Sequence, residues 1–591
     1  MVTTSLLMDF LRAHPGSSVG EIEKGLDMAV AKSTIKRILS SAVHANEVIV
    51  DGKGRATVYY LKGQPIRKYP DGIQTFEKII REGYVYVDKT DLVYRLAHDA
   101  SGYVFLSRPR RFGKSLLIST LKAYFEGRED LFRGLAIERM EKRWESFPVI
   151  RLDLSTTANI QDKGQLYLKL GNILLENEKN LGLDPLETLP GERLDRMVRL
   201  AFEKYGKKVV VLVDEYDAPI LETLFDEEKA REIKPVVKEL FSPLKKLDPY
   251  LRFTFITGIT KFSQMSIFST LNNLDDVSLD DDFATLCGFT ADEIDRQFLT
   301  ELKCMTEETG TTTDAMKETL RQKYDGYHFS PACMGVYNPF SVLKVFSKHK
   351  LANYWFESGT PSILLETLKR FSTDIYELDG AEMTASAFSQ PTETATSAVP
   401  IFYQSGYLTI QSYNPQLDSY VLSIPNAEVR AGLMDNLVPI LLNQNPLESQ
   451  NLAIRFKRAL LQNDIGGAVE VLKGFFASIP YPEFGKGALD TLEKKEAYFK
   501  RLFYIVFSFM NIQIYTEVMN SRGRTDALMF MGDNVYVVEA KLDASSAREA
   551  IDQIDARDYA ARFAGTGRRV VKLGLNFSSV TRTIKDWYME I

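Results

Sequence analysis

One stretch constrains this 591-residue chain more than any other: Gly102-Tyr103-Val104-Phe105-Leu106-Ser107-Arg108-Pro109-Arg110-Arg111-Phe112-Gly113-Lys114-Ser115. Tyr103 to Leu106 is a short apolar run of β-prone residues and predicts a buried strand. Gly113-Lys114-Ser115 then opens a helical pattern. A strand, a tight loop and a helix start suit a phosphate. Backbone N–H groups face the anion, a lysine reaches the outer phosphates and a hydroxyl completes a Mg²⁺ shell. Arg111, Phe112, Gly113, Lys114 and Ser115 are therefore the expected nucleotide contacts. The general pattern G-x-x-x-x-G-K-[ST] places glycine at position 108, where this chain has Arg108. The competing reading is a basic surface turn before a helix, and a second motif has to decide.

That motif is Lys207-Lys208-Val209-Val210-Val211-Leu212-Val213-Asp214-Glu215-Tyr216-Asp217. A continuous apolar run bounded by charge predicts a strand buried on both faces, as in a parallel sheet. Carboxylates at the end of such a strand suit phosphoryl chemistry. Asp214 would hold the Mg²⁺ shell with Ser115, and Glu215 would orient the attacking water. ATP and Mg²⁺ are the cofactors expected. A further strand pattern, Tyr250 to Ile256, ends in Thr257, Thr260 and Lys261. Each is a candidate γ-phosphate sensor, and for each an ordinary strand end explains the residue equally well.

Composition narrows the setting. Hydrophobic content of 45% and charged content of 26% are those of a globular protein with several cores. A net charge of −6 gives no global attraction to nucleic acid, so any DNA contact must come from a local basic face. Cys287, Cys304 and Cys333 lack CxxC spacing and five scattered histidines form no metal cluster. No secretory leader pattern and no run of about 18 apolar residues occurs, so a cytoplasmic protein with no membrane contact is expected.

Residues 1 to 64 read as a unit. Leu6, Leu7, Phe10 and Leu11 form one helical stripe, Ser18 can cap a second helix, and Ala31 to Val43 turns Ile35, Ile38 and Leu39 inward. Two strand patterns then flank Gly52-Lys53-Gly54. Three helices and a hairpin resemble a winged helix-turn-helix domain. From Ala31 to Lys62 there are six lysines and arginines against Glu47 and Asp51, a local +4. Lys32, Ser33, Thr34, Lys36 and Arg37 would line the outer face of the third helix, where such domains meet DNA. Use of the same fold for protein contacts is the alternative.

Four motifs in order carry a resemblance: Tyr86 to Thr90, Ser107 to Ser115, Val213 to Asp217, and Tyr324-Asp325-Gly326-Tyr327-His328-Phe329. Together they resemble the bacterial AAA-ATPase-like family, whose members commonly carry a C-terminal PD-(D/E)XK nuclease-like domain. Arg108 in place of glycine is typical of that family's loop. The resemblance implies an ATP-binding AAA-like core, and the pattern of Tyr337 to Phe340 and Ser341 to Ser347 adds a helical lid after the sheet. Residues 290 to 370 have helical patterns, for example Ala291 to Cys304. Ala381 to Pro400 reads as a loop, and Ile401 to Ile410 with Ser419 to Ile424 as paired strands.

The C-terminal segment offers a second chemical centre. Gly532-Asp533 reads as a two-residue hairpin turn. Met531 then pairs with Asn534, and Asp526 falls opposite Glu539. Directly opposed carboxylates repel unless a cation or proton joins them. Glu539 and Lys541 share a strand face. This D…ExK arrangement resembles the PD-(D/E)XK nuclease superfamily. The resemblance implies that Asp526 and Glu539 hold Mg²⁺ and that Lys541 stabilises charge or positions water. Gln553 and Tyr559, on a helix expected over Ala547 to Ala564, look like its supporting motif, and Glu496 is a further candidate ligand.

The expected fold class is α/β multidomain. An N-terminal winged helix spans 1–64, a P-loop AAA-like parallel-sheet core 69–285 and a helical lid 286–380. A mixed connecting scaffold spans 400–480 and a PD-(D/E)XK α/β domain 485–591. The expected function is ATP hydrolysis controlling a Mg²⁺-dependent nuclease that acts on DNA. An ATP-switched, non-catalytic DNA-binding or scaffold regulator is the reading from another class. An arginine finger from a neighbouring subunit would make the protein a homo-oligomer.

Overall fold

The computed structural model describes residues 4–591 except 14–16, 27–31, 46, 52–56, 63–66, 222, 261–273, 333–334, 359–360, 372, 374–377, 389, 391–394, 442–445, 479–512, 521–522, 532–533, 561–562, 564–567 and 582. It divides into two compact units. The first contains Met1–Glu357 and Leu378–Asn426, the second Ser358–Glu377 and Ala427–Ile591. The 400–480 segment is thus shared between them.

In the first unit, helices α1 (Thr4–Ala13), α2 (Val19–Gly25) and α3 (Lys32–His44) precede an antiparallel pair, β1 (Val48–Asp51) and β2 (Val58–Leu61). Ser18 caps α2 in a capping box with Glu21. Leu7, Leu11, Ile22, Ile35, Leu39, Val48 and Leu61 close one core. Tyr60 on the hairpin packs with Cys304, on the helix Leu299–Thr309.

Helices α4 (Phe76–Arg81) and α5 (Thr90–His98) lead into β3 (Tyr103–Ser107), followed by α6 (Lys114–Phe125). Further along the chain come β4 (Val149–Asp153), β5 (Val209–Asp214), β6 (Leu251–Gly258) and the short β7 (Asp275–Asp276). These strands form one parallel sheet in the order β4-β5-β6-β3-β7. Every residue of β5 is buried, which is why it reads as unbroken Val and Leu before Asp214. The order matters for function. β6 lies between β3 and β5, so the loop after β3 and the acids after β5 approach a shared crevice at the carboxyl ends of the strands.

Three expectations for the later part of this unit change. The Ala291–Cys304 pattern is two helices, Ala291–Gln297 and Leu299–Thr309, broken at Phe298, which is fully buried in the adjoining core. Residues 401–404 are helical, within Val399–Gln404, rather than extended. Pro400 sits in the first turn, where its fixed φ suits a helix start, and Gly406 (φ 85°) turns the chain afterwards. Pairing begins later, between β9 (Thr409–Asn414) and β10 (Ser419–Ser423). The segment expected as a loop contributes β8 (Glu382–Thr384), which completes the sheet β8-β10-β9.

The second unit carries helices Ala427–Leu441, Pro446–Leu461 and Ile465–Ser478 and a five-stranded sheet. Its strands, β11 (Gln513–Asn520), β12 (Gly523–Met531), β13 (Asn534–Leu542), β14 (Arg569–Phe577) and β15 (Ile584–Glu590), lie side by side in chain order. β13 and β14 are parallel, joined through the helix Arg548–Ala556, which is shorter than the sequence pattern suggests. Among the described residues no helix is long and apolar enough to cross a membrane.

Candidate functional site

The phosphate loop takes its shape from two left-handed residues. Arg111 has φ 68° and Gly113 has φ 94°, so the chain turns sharply into α6 and brings the backbone N–H groups of the helix start to the crevice. Gly113 adopts that angle without the penalty a Cβ would bring. Lys114 is buried. Its Nζ donates to the carbonyl oxygens of Arg108 (2.9 Å) and Pro109 (3.0 Å). Burial lowers its pKa, opposed by the nearby carboxylates of Asp214, Asp217 and Glu215. Arg111 donates to the Tyr354 carbonyl at 2.7 Å and lies over the Phe340 ring at 3.8 Å. Phe112 is buried edge-on against Tyr327 (4.7 Å) and Phe329 (5.2 Å). Both side chains therefore brace the loop from behind.

Asp214 closes β5 and is 1% exposed. Its Oδ1 has no hydrogen-bond partner, while a hydrogen bond from Ser115 and the charge of Lys114 oppose the upward push of burial on its pKa. A buried carboxylate oxygen with no partner, next to the helix-start hydroxyl, fits a Mg²⁺ shell, because a cation and its waters would satisfy it. Glu215 follows with φ 50°, and burial raises its pKa as well. Lys114, Ser115, Asp214 and Glu215, which the sequence places about a hundred residues apart, are thus gathered at one point.

The candidate sensors divide. Thr257 spends its hydroxyl on the Leu106 carbonyl (2.7 Å), tying β6 to β3, which makes it a strand fastener. Thr260 is 1% exposed, and its hydroxyl and backbone N–H both donate to Asp217. Lys261 lies outside the described residues. Asp217 is the residue that sequence reasoning passed over, although it closes the motif Val213–Asp217. It is fully buried and joins the ends of β5 and β6.

The second centre lies on the β12–β13 pair. Met531 pairs with Asn534 and Ala527 with Val538, the register implied by a two-residue turn. One step further along the two strands stand Asp526 and Glu539. The turn itself, the Asp526 side chain and Glu496 are outside the described residues. Glu539 is 2% exposed and accepts a hydrogen bond from Gln553 Nε2, while Lys541 Nζ donates to Gln553 Oε1. Lys541 Nζ stands 3.9 Å from Glu539 Oε1. One amide thus bridges the carboxylate and the ammonium. Tyr559 instead packs into the core with Leu528, Val537 and Ile551. Among the described residues no group of three or more His, Cys, Asp or Glu is placed to hold a metal. The donor set here is the buried Glu539 carboxylate with Asp526 at the neighbouring register position, hard oxygen ligands that suit Mg²⁺.

On α3, Lys32, Ser33, Lys36 and Arg37 are exposed and Thr34 is half-buried, opposite the inward Ile35, Ile38 and Leu39. Lys32 pairs with Glu23 at 3.1 Å.

Comparison with known proteins gives a family match over each of the two regions. Residues 70–268 match the family model described as predicted AAA-ATPase, and residues 494–587 match that of the PD-(D/E)XK nuclease superfamily. A protein of Azotobacter chroococcum mcd 1, described as "Uncharacterized protein in vnfD 5'region", is 35% identical over 536 residues, covering 89% of this chain and 99% of that protein. The chain belongs to the predicted AAA-ATPase family and carries a C-terminal domain of the PD-(D/E)XK nuclease superfamily.

Proposed function

We propose that this protein binds and hydrolyses Mg-ATP in its first unit and cleaves DNA phosphodiesters in its second, with the nucleotide state controlling the cleavage. The observation that carries the reading is the presence, in one chain, of two separate clusters that each set a lysine beside a buried carboxylate. One is Lys114, Ser115, Asp214 and Glu215; the other is Glu539, Gln553 and Lys541.

In the first cluster the loop N–H groups and Lys114 bind the phosphates. To do so, Lys114 exchanges its two loop carbonyls for phosphate oxygens, a favourable exchange for a buried ammonium. Ser115 and Asp214 would hold Mg²⁺, which neutralises developing charge when bound. Glu215 orients the water whose oxygen joins the γ-phosphorus as the bond to ADP breaks.

In the second cluster Asp526 and Glu539 would hold Mg²⁺ and Lys541 faces the charge that builds on the phosphate. Gln553 keeps Lys541 and Glu539 in place. Water adds to phosphorus, one P–O ester bond breaks, and the departing oxygen leaves with a proton. The outer face of α3 would contact the duplex backbone through Lys32, Lys36 and Arg37, with Ser33 and Thr34 beside them.

The test is a plasmid-cleavage and ATPase assay with Mg²⁺ or Mn²⁺. Asp526→Ala should abolish cleavage and spare ATP hydrolysis, and Lys114→Ala should abolish ATP hydrolysis. Equal nicking by wild type and Asp526→Ala would remove the nuclease assignment and leave an ATP-switched regulator as the better account.

A further inference from the structure

Arg108 occupies the place where the general phosphate-loop pattern has glycine, and it is 1% exposed. Its guanidinium is engaged from several sides through both terminal nitrogens. Nη1 donates to the carbonyls of Ser107 (2.9 Å) and Ser278 (2.8 Å), and Nη2 to that of Phe283 (3.2 Å). The guanidinium carbon sits 4.2 Å from the centre of the Phe329 ring. Its backbone N–H reaches the Gly258 carbonyl at the end of β6 (3.2 Å). Its own carbonyl receives Lys114 Nζ.

The backbone explains why glycine is not needed there. The left-handed angles of this loop fall on Arg111 and Gly113, not on residue 108. Position 108 is therefore free to carry a large side chain, and that side chain grips three separate parts of the first unit. The far end of the loop leans on the same support, since Phe112 packs edge-on against both Tyr327 and Phe329. The Tyr324–Phe329 motif thus contacts the phosphate loop at both ends, which the sequence shows only as four separate residue clusters.

We propose that Arg108 is a positioning residue for nucleotide binding, one that holds the phosphate loop in its binding shape by anchoring it to Ser278, Phe283 and Phe329. It does not touch the nucleotide. This rests on the ATP-binding reading above. Pre-setting a loop lowers the ordering cost of binding. It follows that Arg108→Gly, which restores the general G-x-x-x-x-G-K-[ST] pattern, weakens binding instead of improving it.

The experiment uses the full-length protein with Arg108→Gly, Arg108→Lys and Lys114→Ala variants. Each is titrated with a fluorescent N-methylanthraniloyl-ATP in Mg²⁺ buffer. Loss of signal in Lys114→Ala ties the signal to the phosphate loop. Arg108→Gly should bind about tenfold more weakly. Arg108→Lys should fall between, because an ammonium keeps the charge but cannot fork across three carbonyls. KM for ATP should rise with the same order while kcat changes little.

Hydrogen exchange of nucleotide-free protein is the second measurement. Arg108→Gly should speed exchange in peptides covering 108–115 and 324–329 and leave β11 to β15 at wild-type rates. Should that variant unfold throughout, Phe329→Leu removes the ring beneath the guanidinium, keeps its three hydrogen bonds, and should give the same pattern at smaller amplitude. Wild-type affinity together with wild-type exchange in Arg108→Gly overturns the proposal. Absence of any Lys114-dependent signal in the wild type overturns the ATP reading instead, and the exchange data then still decide whether Arg108 holds the loop.

Discussion

Asp217 accepts three hydrogen bonds at the end of β6, two of them from Thr260, through its backbone N–H and its hydroxyl, both at 2.7 Å. The third comes from the Ile259 N–H at 2.9 Å. The carboxylate after β5 is thereby fastened to the strand that separates it from the phosphate loop. All three bonds fall on Oδ2, so Asp217→Asn keeps the size and one accepting oxygen but removes the charge that strengthens them. Weakening a buried, charge-assisted set of this kind costs about 1–3 kcal/mol. The expected outcome is a lower unfolding midpoint in urea, together with an ATPase rate that falls further than stability alone explains, because Asp214 and Glu215 sit three and two residues away.

Glu215 offers a pH test. Burial holds its carboxyl above the ordinary glutamate range, with Lys114 opposing the shift. If its ionised form orients the attacking water, the acid limb of the ATPase profile should lie above that of an unperturbed glutamate. The sign for stability is the opposite of the usual surface carboxylate. The folded state binds this proton more tightly than the unfolded one, so the contribution of Glu215 to stability falls as pH rises through the two pKa values. Glu215→Gln should abolish hydrolysis, keep ATP binding, and flatten that dependence. A pH–rate profile and denaturation at several pH values measure both.

Local chemistry was legible in the sequence and long-range packing was not. The loop at 108–115, the buried β5 strand and the pairing of β12 with β13 follow from adjacent residues, and the structure repeats them. The role of Arg108 does not, since its partners lie 170 and 175 residues further on. The same holds for the β9–β10 hairpin. It docks where His328 Nδ1 meets the Ile410 carbonyl at 2.7 Å, a contact 82 residues apart in the chain. The Val399–Gln404 helix does not show in the sequence, because its apolar run has no period to separate helix from buried strand. Thr257 was a fair sensor candidate by position, and only the Leu106 carbonyl shows where its hydroxyl is spent.

Gly574 gives a test of the second centre that leaves the first alone. It pairs with Glu539 across β13 and β14, and a Cβ there would collide with the Ala547 carbonyl. Ala547 caps the helix that carries Gln553, and its N–H donates to Asp586 at 2.6 Å. Gly574→Ala must push that helix start away from the sheet and with it the Gln553 amide. DNA cleavage should fall by roughly 10–100-fold, the usual size of a lost supporting contact at a metal site, while ATPase activity stays at the wild-type level. Gln553→Ala should give a similar loss without the added overpacking cost. Unchanged cleavage in both variants would show that the amide bridge has no part in the chemistry.

The exposed face of α3 makes a prediction that separates DNA binding from a protein-contact role. Lys36 and Arg37 project outward from a helix whose other side closes the core through Ile35, Ile38 and Leu39, so replacing them leaves the fold intact. If they contact phosphates, each lost contact releases one fewer counterion, and the slope of log K against log[salt] should fall by about 0.9 per residue. The double variant Lys36→Ala, Arg37→Ala should then bind duplex DNA more weakly, with a salt slope reduced by roughly 1.8. Fluorescence anisotropy at several KCl concentrations gives both numbers. A variant that keeps the wild-type slope would assign the face to a protein partner, because contacts to a protein surface do not carry the counterion term of a duplex.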